Sequence, residues 1–310
     1  MKVLVTGGAG FIGSHLADRL ILEGHEVVVV DDLSTGKEKN LPKGVKFYKA
    51  DILHSKLERI IRNEKPEVIS HHAAQRDVRR SIEDPLYDAE VNILGLIQLV
   101  HFGVKHGCRQ VIFASSGGAI YGETRVLPTS ETERAAPVSP YGISKRAGEH
   151  YLHFFRQNSG IETTSLRYAN VYGPRQDPFG EAGVIAIFTQ KMLRNEQAII
   201  NGNGMQTRDY VYVDDVVEAN MLAMHARPAQ SDTFNVGTGI ETSVNQIYRQ
   251  IQSLTQCALK EVHGPEKRLE QNRSALDYGK IHKALDWEPK VALKEGLERT
   301  VNHFRALLKK

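Results

Sequence analysis

Short apolar runs alternate with longer amphipathic segments through the first half of the chain. The runs fall at Val3–Thr6, Val27–Val30, Val45–Ala50, Val68–His71, Val111–Ala114 and Thr163–Tyr168. Apolar residues at helical spacing occupy the stretches between them, at Phe11–Glu23, Ser55–Arg62, Pro85–Lys105 and Tyr141–Gln157. Four consecutive valines at 27–30 are typical of a strand buried on both faces. The alternation therefore predicts right-handed βαβ units and a parallel sheet covered by helices on both faces.

The pattern becomes irregular after about Gly173. Short strands are expected at Ala198–Ile200 and Asp209–Tyr212. Helices are expected at Glu181–Arg194, Asp214–His225, Val244–Leu254, Asp277–Leu285 and Leu293–Leu307. This mixture predicts a first domain over residues 1–173 and a smaller mixed α/β lobe over 174–310. Segments at about 209–226 and 236–256 are expected to return from the second lobe to the first domain.

Composition narrows the class of protein. The 310 residues are 41% hydrophobic and 25% charged, with a net charge of +3, which is ordinary for a globular protein with a substantial core. Acids and bases are mixed without a basic block, so no nucleic-acid partner is expected. No apolar segment has the length of a signal peptide or a membrane span. Cys108 and Cys257 lie far apart, which favours a reduced, cytoplasmic protein.

A glycine-rich turn follows the first predicted strand. The sequence TGGAGFIGSHL, which starts at residue 6, places Gly7, Gly10 and Gly13 between a strand and a helix. Such a turn lets a pyrophosphate approach the backbone and the free N–H groups of a helix start, although glycines also occur in turns that bind nothing. Asp31 ends the second strand, where an acid accepts from a ribose hydroxyl and repels a 2′-phosphate. The motif thus indicates a Rossmann-type doubly wound sheet that binds NAD in preference to NADP, with a turn cap as the other interpretation of Asp31 and its neighbour Asp32.

A tyrosine and a lysine stand four residues apart in SPYGISK. Tyr141 and Lys145 share one face of the predicted helix, and Pro140 is consistent with the helix start. A neighbouring ammonium lowers the pKa of a phenol, so that the phenolate becomes a usable general base. The same spacing also arises by chance on amphipathic helices.

The stretch FASSGGAIYG is unusual because small residues follow a predicted core strand. Ser115, Ser116, Gly117 and Gly118 bury little apolar area, and glycine weakens a strand. Either the stretch is a plain turn, or a ligand approaches its backbone and meets a hydroxyl group. Its place at the carboxyl end of a central strand favours the ligand, because open α/β sheets bind ligands there.

Taken together, the motifs resemble the extended short-chain dehydrogenase/reductase family over nearly the whole chain. The segments that carry the resemblance are TGGAGFIGSHL, VDDLSTG, HHAAQ, SSGGAIYGE, SPYGISK, LRYANVYGPRQ, TRDYVYVDDVV, FNVGTG and LDYGKIHKALDWEP. Within the family, the chain is most similar to the bacterial NAD-dependent UDP-glucose/UDP-galactose 4-epimerases, and FGEAGVIAIF sharpens that similarity.

The resemblance assigns cofactor contacts residue by residue. It implies a pyrophosphate turn, ribose and adenine contacts, and residues that flank the nicotinamide. The matching positions are Gly7, Gly10, Phe11 and Ile12 for the pyrophosphate, Asp31 and Asp32 for the ribose, Asp51 and Ile52 for the adenine, and Ala73, Ala74, Asn92, Tyr141, Lys145 and Tyr168 for the rest of the cofactor. Asp32 is a mild departure, because relatives often carry asparagine there.

The resemblance also implies a UDP-sugar site. The matching positions are Ser116, Tyr141, Asn170, Val184, Arg208, Lys267, Arg268 and Ser274. Arg208 would bind the diphosphate, with a surface salt bridge to Asp209 as the alternative. PEKRLEQNRSALD departs from the family pattern, so the second diphosphate contact stays open between Lys267 and Arg268. Arg273 is a third option, and a solvated run of charges is the plain alternative. Serine at 274 leaves room for an N-acetyl group, so UDP-N-acetylhexosamines are expected as further substrates.

The catalytic hydroxyl is expected at Ser116. Counting from Phe113 gives Ser116, whereas counting back from Tyr121 gives Gly117, which has no hydroxyl; Ser115 is the reserve. The implied isomerase reaction is reversible C4 epimerisation of UDP-glucose and UDP-galactose through a 4-keto intermediate, with NAD tightly bound. The alternatives are a 4,6-dehydratase, a dehydrogenase or a non-enzymatic NAD-binding regulator. Gly117 and Gly118 stand where the dehydratases carry an Asp-Glu pair, which favours epimerisation.

Two remaining expectations concern assembly and metals. The resemblance implies a homodimer formed through the helices at Pro85–Lys105 and Tyr141–Gln157. His71 and His72 end a predicted strand without spaced acids or cysteines. We therefore interpret them as packed structural histidines and expect no metal.

Overall fold

The computed structural model describes residues 1–179, 183–227, 232–266 and 271–308. Within these ranges the chain forms thirteen strands and twelve α-helices. The strands are β1 (Lys2–Thr6), β2 (Glu26–Asp31), β3 (Lys46–Lys49), β4 (Val68–His71), β5 (Gln110–Ser116), β6 (Glu162–Tyr168), β7 (Asn170–Tyr172), β8 (Ile199–Asn201), β9 (Thr207–Arg208), β10 (Tyr210–Tyr212), β11 (Thr233–Val236), β12 (Thr242–Ser243) and β13 (Val262–Gly264).

The helices lie between these strands and after them. They are α1 (Phe11–Leu22), α2 (Lys56–Glu64), α3 (Val78–Glu83), α4 (Pro85–Ala89), α5 (Gly95–Lys105), α6 (Gly117–Ile120), α7 (Pro140–Ser159), α8 (Val184–Leu193), α9 (Val213–His225), α10 (Val244–Thr255), α11 (Gly279–Leu285) and α12 (Leu293–Leu308). A 3₁₀ turn spans Glu38–Asn40, and a π-helical turn spans Glu90–Leu94 between α4 and α5. None of the helices in the described ranges combines the length and apolarity that a membrane crossing requires.

Seven parallel strands form the main sheet in the order β11-β6-β5-β4-β1-β2-β3. The order reverses at β1, because β2 and β3 extend to one side while β4, β5, β6 and β11 extend to the other. Ligands bind to sheets of this kind in the crevice beyond the carboxyl ends of the strands at the reversal. The predicted Rossmann-type sheet is therefore confirmed, and it places the candidate site beyond β1 and β4.

The valine strand shows why the sheet is covered on both faces. Val27 and Val29 join the core on one face of the sheet, while Val28 and Val30 join the core on the other. All four are buried, and burying one such side chain stabilises the fold by about 1.5–3 kcal/mol. Consecutive apolar residues are therefore required here, because neither face of the strand meets water.

A third core lies in the C-terminal half. It joins α8, α10 and α12 to the small sheets through residues such as Phe188, Tyr248 and Leu297. β11 adds an edge to the main sheet, and α9 packs on α1. α10 packs on α8 and α12, and the return of residues 236–256 to the first domain stays a prediction. The proposed boundary at residues 173 and 174 stays a prediction.

The structure differs from the predicted elements in two segments where a polar side chain is buried. The stretch 85–105 contains α4, a π-helical turn and α5, and the turn holds buried Asn92 against the backbone of Gln75. The expected strand 209–212 begins at Tyr210, because Asp209 separates β9 from β10 and its buried carboxylate accepts from the N–H groups of Thr238, Gly239 and Leu276. In both places a buried polar side chain interrupts the regular element.

Candidate active site

The glycine turn leaves room at the amino end of α1. Gly7 has a left-handed φ of +68°, and a Cβ atom there would lie 2.6 Å from the Ala73 nitrogen. Gly10 caps α1 without a side-chain hydrogen bond, so the N–H groups of the first turn, including those of Phe11 and Ile12, face outward. The turn thus fits a pyrophosphate held by backbone N–H groups.

The acidic positions lie beyond β2 and β3. Asp31 is buried, and its carboxylate accepts from the Ala9 N–H at 2.9 Å and the Leu33 N–H at 2.8 Å. Burial raises its pKa, and these two hydrogen bonds oppose that shift. Asp32 and Asp51 line one pocket of about 240 Å³ together with Lys49, Ala50, His54 and Lys56. Ile52 is buried beside this pocket.

A buried polar cluster supports the loop after β4. Ala73 and Ala74 follow this strand, and the Ala73 N–H donates to Thr6 Oγ1 at 3.3 Å. Asn92 accepts from the Gln75 N–H at 2.9 Å and donates to Asp88 Oδ1 at 3.0 Å. Asn92 therefore fixes the loop beside the expected cofactor crevice through the backbone of Gln75.

The tyrosine–lysine pair occupies the first turns of α7, whose N-cap is Ser139. The Lys145 Nζ lies 5.8 Å from the centre of the Tyr141 ring and 4.7 Å from that of Phe113. It donates to the Ala114 carbonyl at 2.8 Å, which ties α7 to β5. The helix thus carries both side chains to the carboxyl end of the central strand.

Two carboxylates oppose the loss of charge on Lys145. Lys145 is buried, and desolvation lowers its pKa to about 8, although Asp88 and Glu149 raise it. Glu149 also pairs with buried Arg167 at 2.7 Å. Asp88 accepts from the neutral groups of Gln75, Asn92 and Ser144, at 3.0, 3.0 and 2.5 Å. The sequence does not predict the effect of Asp88 and Glu149 on Lys145, because no motif spacing connects these carboxylates with the lysine.

The two serines at the end of β5 have different surroundings. Ser115 is buried and donates to Glu149 Oε1 at 2.8 Å. Ser116 is partly exposed, because alternate residues of a strand point to opposite faces. In the sheet it pairs with Tyr168, whose hydroxyl bonds to Asn220 and whose pKa is raised by burial. The surroundings therefore favour Ser116 over Ser115 as the expected catalytic hydroxyl, because the Ser115 hydroxyl is bound to Glu149 in the buried network.

Gly117 and Gly118 differ in what surrounds them. They begin α6, so the stretch is a helical turn and not a loop. A Cβ atom on Gly117 would lie 2.4 Å from Leu276 Cδ1, whereas one on Gly118 would meet only Asn170 Oδ1 at 3.7 Å. Gly117 thus accommodates a side chain of the C-terminal half, whereas the space beside Gly118 is bordered by Asn170, an expected substrate contact.

The expected diphosphate residues are only partly described. Lys267 and Arg268 lie outside the described residues. The Arg208 guanidinium donates to the Thr207 carbonyl at 2.7 Å, while Asp209 accepts from Thr238. Arg273 makes two hydrogen bonds to Glu241, so its side chain is engaged at the surface.

The remaining expected substrate positions, Val184 and Ser274, lie in the C-terminal half. Val184 begins α8 and packs on the third core, and Ser274 is buried directly before Ala275 and Leu276. A pocket of about 160 Å³ that sequence reasoning missed lies nearby. It is lined by Asn201, Gly202, Asn203, Met205, Gln206, Glu266, Asn272 and Arg273. These residues come from segments far apart in the sequence, so no local motif predicts the pocket.

His71 is the last residue of β4, and His72 directly follows it. His71 is buried, stacks on Phe113 and bonds to Thr6 Oγ1 at 2.7 Å. His72 bonds to Ser70 at 3.0 Å, and burial lowers its pKa to about 3. Both imidazoles are therefore neutral and packed.

Comparisons with known proteins agree with this geometry. The model of the NAD dependent epimerase/dehydratase family matches residues 3–237. The UDP-glucose 4-epimerase of Thermotoga maritima, solved with UDP-glucose, is 50% identical over 99% of this chain and 100% of that chain, with a TM-score of 0.97. The UDP-glucose 4-epimerase of Thermus thermophilus, solved with NAD, is 43% identical over 98% of this chain and 99% of that chain, with a TM-score of 0.93.

The curated relatives show the same likeness and a wider range of reactions. The UDP-glucose 4-epimerase of Mycolicibacterium smegmatis is 45% identical over 98% of this chain and 99% of its own length. A UDP-N-acetylglucosamine 4-epimerase, a dTDP-glucose 4,6-dehydratase and a UDP-glucuronic acid decarboxylase are also similar to this chain.

Replacing Gly117 by alanine is expected to be more damaging than replacing Gly118. The new methyl group at 117 collides with Leu276, and overpacking of this kind costs about 1–3 kcal/mol. The methyl group at 118 makes only an ordinary contact, so Gly118→Ala is the matched control. Thermal unfolding should show a lower Tm for Gly117→Ala alone. Equal Tm values for the two variants would contradict the role of Leu276.

Proposed function

The chain belongs to the NAD dependent epimerase/dehydratase family, and we propose that it interconverts UDP-glucose and UDP-galactose by inversion at C4. The observation that carries the proposal is the pairing of Tyr141 with buried Lys145 at the carboxyl end of β5, next to a turn that presents glycines where a dehydratase needs acids. Similarity to UDP-glucose 4-epimerases along the whole chain supports the same reaction.

NAD is the cofactor of this family, and the described residues fit it. The open amino end of α1 suits the pyrophosphate, Asp31 suits a ribose, and the pocket lined by Asp32 and Asp51 suits the adenine. When bound, NAD supplies a reversible hydride acceptor for the sugar carbon. The protein must then position the sugar and move one proton.

We propose that Tyr141 holds that proton. The phenolate takes the proton from the 4-hydroxyl group when C4 is oxidised, and the resulting phenol returns it when C4 is reduced. The ammonium group of Lys145 favours the phenolate, because the positive charge stabilises the negative oxygen. The Ser116 hydroxyl bridges Tyr141 and the sugar oxygen, while Ser115 holds Glu149 in place.

The absence of acids beside Ser116 distinguishes epimerisation from related reactions. Elimination of a C6 hydroxyl needs an acid to protonate the leaving group, and relatives place an Asp-Glu pair directly after the catalytic hydroxyl. Gly117 and Gly118 provide no such groups. Gly118 instead leaves space beside Asn170, where the sugar can present its opposite face.

The UDP moiety is proposed to supply most of the binding energy. Asn170 and Arg208 are proposed to bind the diphosphate, with Lys267 or Arg268 as its second cation. Val184 is proposed to border the nucleotide from the start of α8. The small side chain of Ser274 supports acceptance of UDP-N-acetylhexosamines.

We propose that the chain forms a homodimer through α7 and the segment that contains α4. Ile143 and Phe154 lie three helical turns apart on α7 and are 53% and 52% exposed, and Leu86 on α4 is 82% exposed. An exposed apolar face of this kind is typical of an interface. A cytoplasmic setting is supported by the free thiols of Cys108 and Cys257.

Replacing the proposed catalytic serine should abolish most of the turnover. Purified protein should carry NAD and interconvert UDP-glucose and UDP-galactose without added cofactor. Ser116→Ala should lower kcat by about 10²–10⁴-fold with NAD still bound, because the proton relay is lost. A coupled assay of product sugar nucleotide measures this change, and the N-acetylated UDP-sugars are run beside it.

Two outcomes would contradict these assignments. Near-normal turnover by Ser116→Ala would remove that hydroxyl from the mechanism, and release of free NADH during turnover would indicate a dehydrogenase. Ser115→Ala is the neighbouring comparison: it should lower Tm through the Glu149 network while keeping more activity than Ser116→Ala. Failure to convert UDP-N-acetylgalactosamine would contradict the assignment of Ser274 alone.

The alkaline limit of activity should depend on Asp88. The proposed reaction requires the charged form of Lys145. The pKa of Lys145 is about 8, so this positive charge is lost as pH rises through that value. Asp88→Asn removes an attraction that raises this pKa, while the amide can still accept from Gln75 and Asn92 and donate to Ser144. The fall of kcat with rising pH should therefore begin at lower pH in the variant.

The control for this experiment is a distant carboxylate. Glu58→Gln removes an exposed charge that pairs with Lys105, so the pH profile should not move. An unchanged alkaline limit in Asp88→Asn, with the enzyme folded, would show that Asp88 does not hold the charge of Lys145.

A cation on the exposed face of α7 should disrupt the dimer. Phe154→Arg places a charge at the proposed interface, where burial without a partner is costly. Analytical ultracentrifugation should show a monomer for this variant and a dimer for the unmodified protein. Leu22→Arg, at an 83% exposed leucine on α1, is the control that should stay dimeric. Equal sedimentation of Phe154→Arg and the unmodified protein would contradict this interface.

A further inference from the structure

A second cluster of chemically active side chains lies at the opposite end of the main sheet. Glu23 is the C-cap of α1, His25 directly precedes β2, and His225 is the last residue of α9. The proposed active site uses the carboxyl ends of the strands, whereas these residues lie at the amino end of β2. The cluster is therefore separate from the epimerase chemistry and does not depend on it.

The three side chains converge on one point. One ligand atom from each of Glu23, His25 and His225 lies within 4.8 Å of the other two. The two imidazole rings have centroids 5.8 Å apart and are tilted by 36°. Donor atoms on a tetrahedral Zn²⁺ are about 3.4 Å apart, given bonds of about 2.0–2.1 Å. Glu23 and His225 are exposed, so small side-chain rotations are enough to close the remaining distance.

The backbone under the cluster is held firmly. The His25 N–H donates to the Leu20 carbonyl at 3.0 Å, and the Glu23 N–H donates to the Arg19 carbonyl at 3.0 Å. α1 packs on α9, with Leu20 and Met224 in the same core. The ligand positions are thus fixed by packed elements, and only side-chain ends need to move.

The charges around the cluster act on a cation in both directions. Both helices end here, and a helix C-terminus carries partial negative charge. Arg19 opposes the cation, because its Nε binds Glu23 Oε1 at 2.5 Å and its Nη2 binds Glu218. The Met1 amino group, 3.4 Å from His25 Nδ1, opposes it as well.

We propose that Glu23, His25 and His225 form a binding site for a divalent transition metal, with Zn²⁺ as the representative ion. Two imidazoles and one carboxylate are a donor set that Zn²⁺ accepts, with the fourth position left to water. The bound ion joins the end of α1, the start of β2 and the end of α9. Because the three ligands meet only in the folded chain, the metal stabilises the native state.

The test is Zn²⁺ binding by the full chain with NAD bound, after removal of metal ions and without an affinity tag. Isothermal titration should show one ion bound per chain, and a saturating concentration should raise Tm. His25→Ala and His225→Ala should each weaken binding by about tenfold or more and remove the rise in Tm, because each deletes a ligand. His263→Ala is the matched control, since it removes an exposed histidine that also pairs with a glutamate, Glu261.

A spectroscopic measurement distinguishes the loss of a metal ligand from poor folding of a variant. Co²⁺ bound by the unmodified protein should give visible absorption bands, and His225→Ala should lose them while keeping its circular dichroism and its epimerase turnover. The proposal is overturned if the unmodified protein binds no Zn²⁺. It is also overturned if His25→Ala and His225→Ala both bind Zn²⁺ as strongly as the unmodified protein does, because the ion would then lie elsewhere.

Discussion

The rest of the site depends on the cost of burying one ammonium group. Lys145 carries a charge that water would solvate, and burial alone works against that charge. The Ala114 carbonyl and the Phe113 ring replace part of the lost hydration. The carboxylates of Asp88 and Glu149 supply the remaining stabilisation. These groups come from different elements, so the charge survives only while α7 is docked on β5 and α4 is docked on α7.

The surrounding network places carboxylates near this charge without binding the ammonium in a direct ion pair among the described residues. Lys145 and Arg167 are two buried cations, and Asp88 and Glu149 are two buried anions. Glu149 is bound directly by Arg167, whereas Asp88 is bound only by neutral donors among the described residues. The arrangement leaves the Lys145 ammonium facing Tyr141 and not locked in an ion pair. Buried charges retained in this way indicate function more than stability.

Features that depend on local sequence were predictable, and features that depend on distant contacts were not. The valines of β2 and the glycine turn at Gly7 are set by burial and backbone geometry within a few residues, so their patterns predict them. The pairing of Ser115 with Glu149 and the contact between Gly117 and Leu276 join segments far apart in the chain. No periodicity records such contacts, and the proposed roles of Ser116 and Gly118 rest on them.

The contact at Gly117 has a consequence for how the chain can change over time. The turn after the central strand is shaped by Leu276, a residue 159 positions later, so that the two halves share one steric boundary. A bulkier residue at 117 becomes acceptable only if the segment around 276 shrinks or moves. Recombination that exchanges C-terminal halves between relatives must therefore transfer a compatible pair of residues, and this constraint couples the inheritance of the turn after β5 to that of the segment around Leu276.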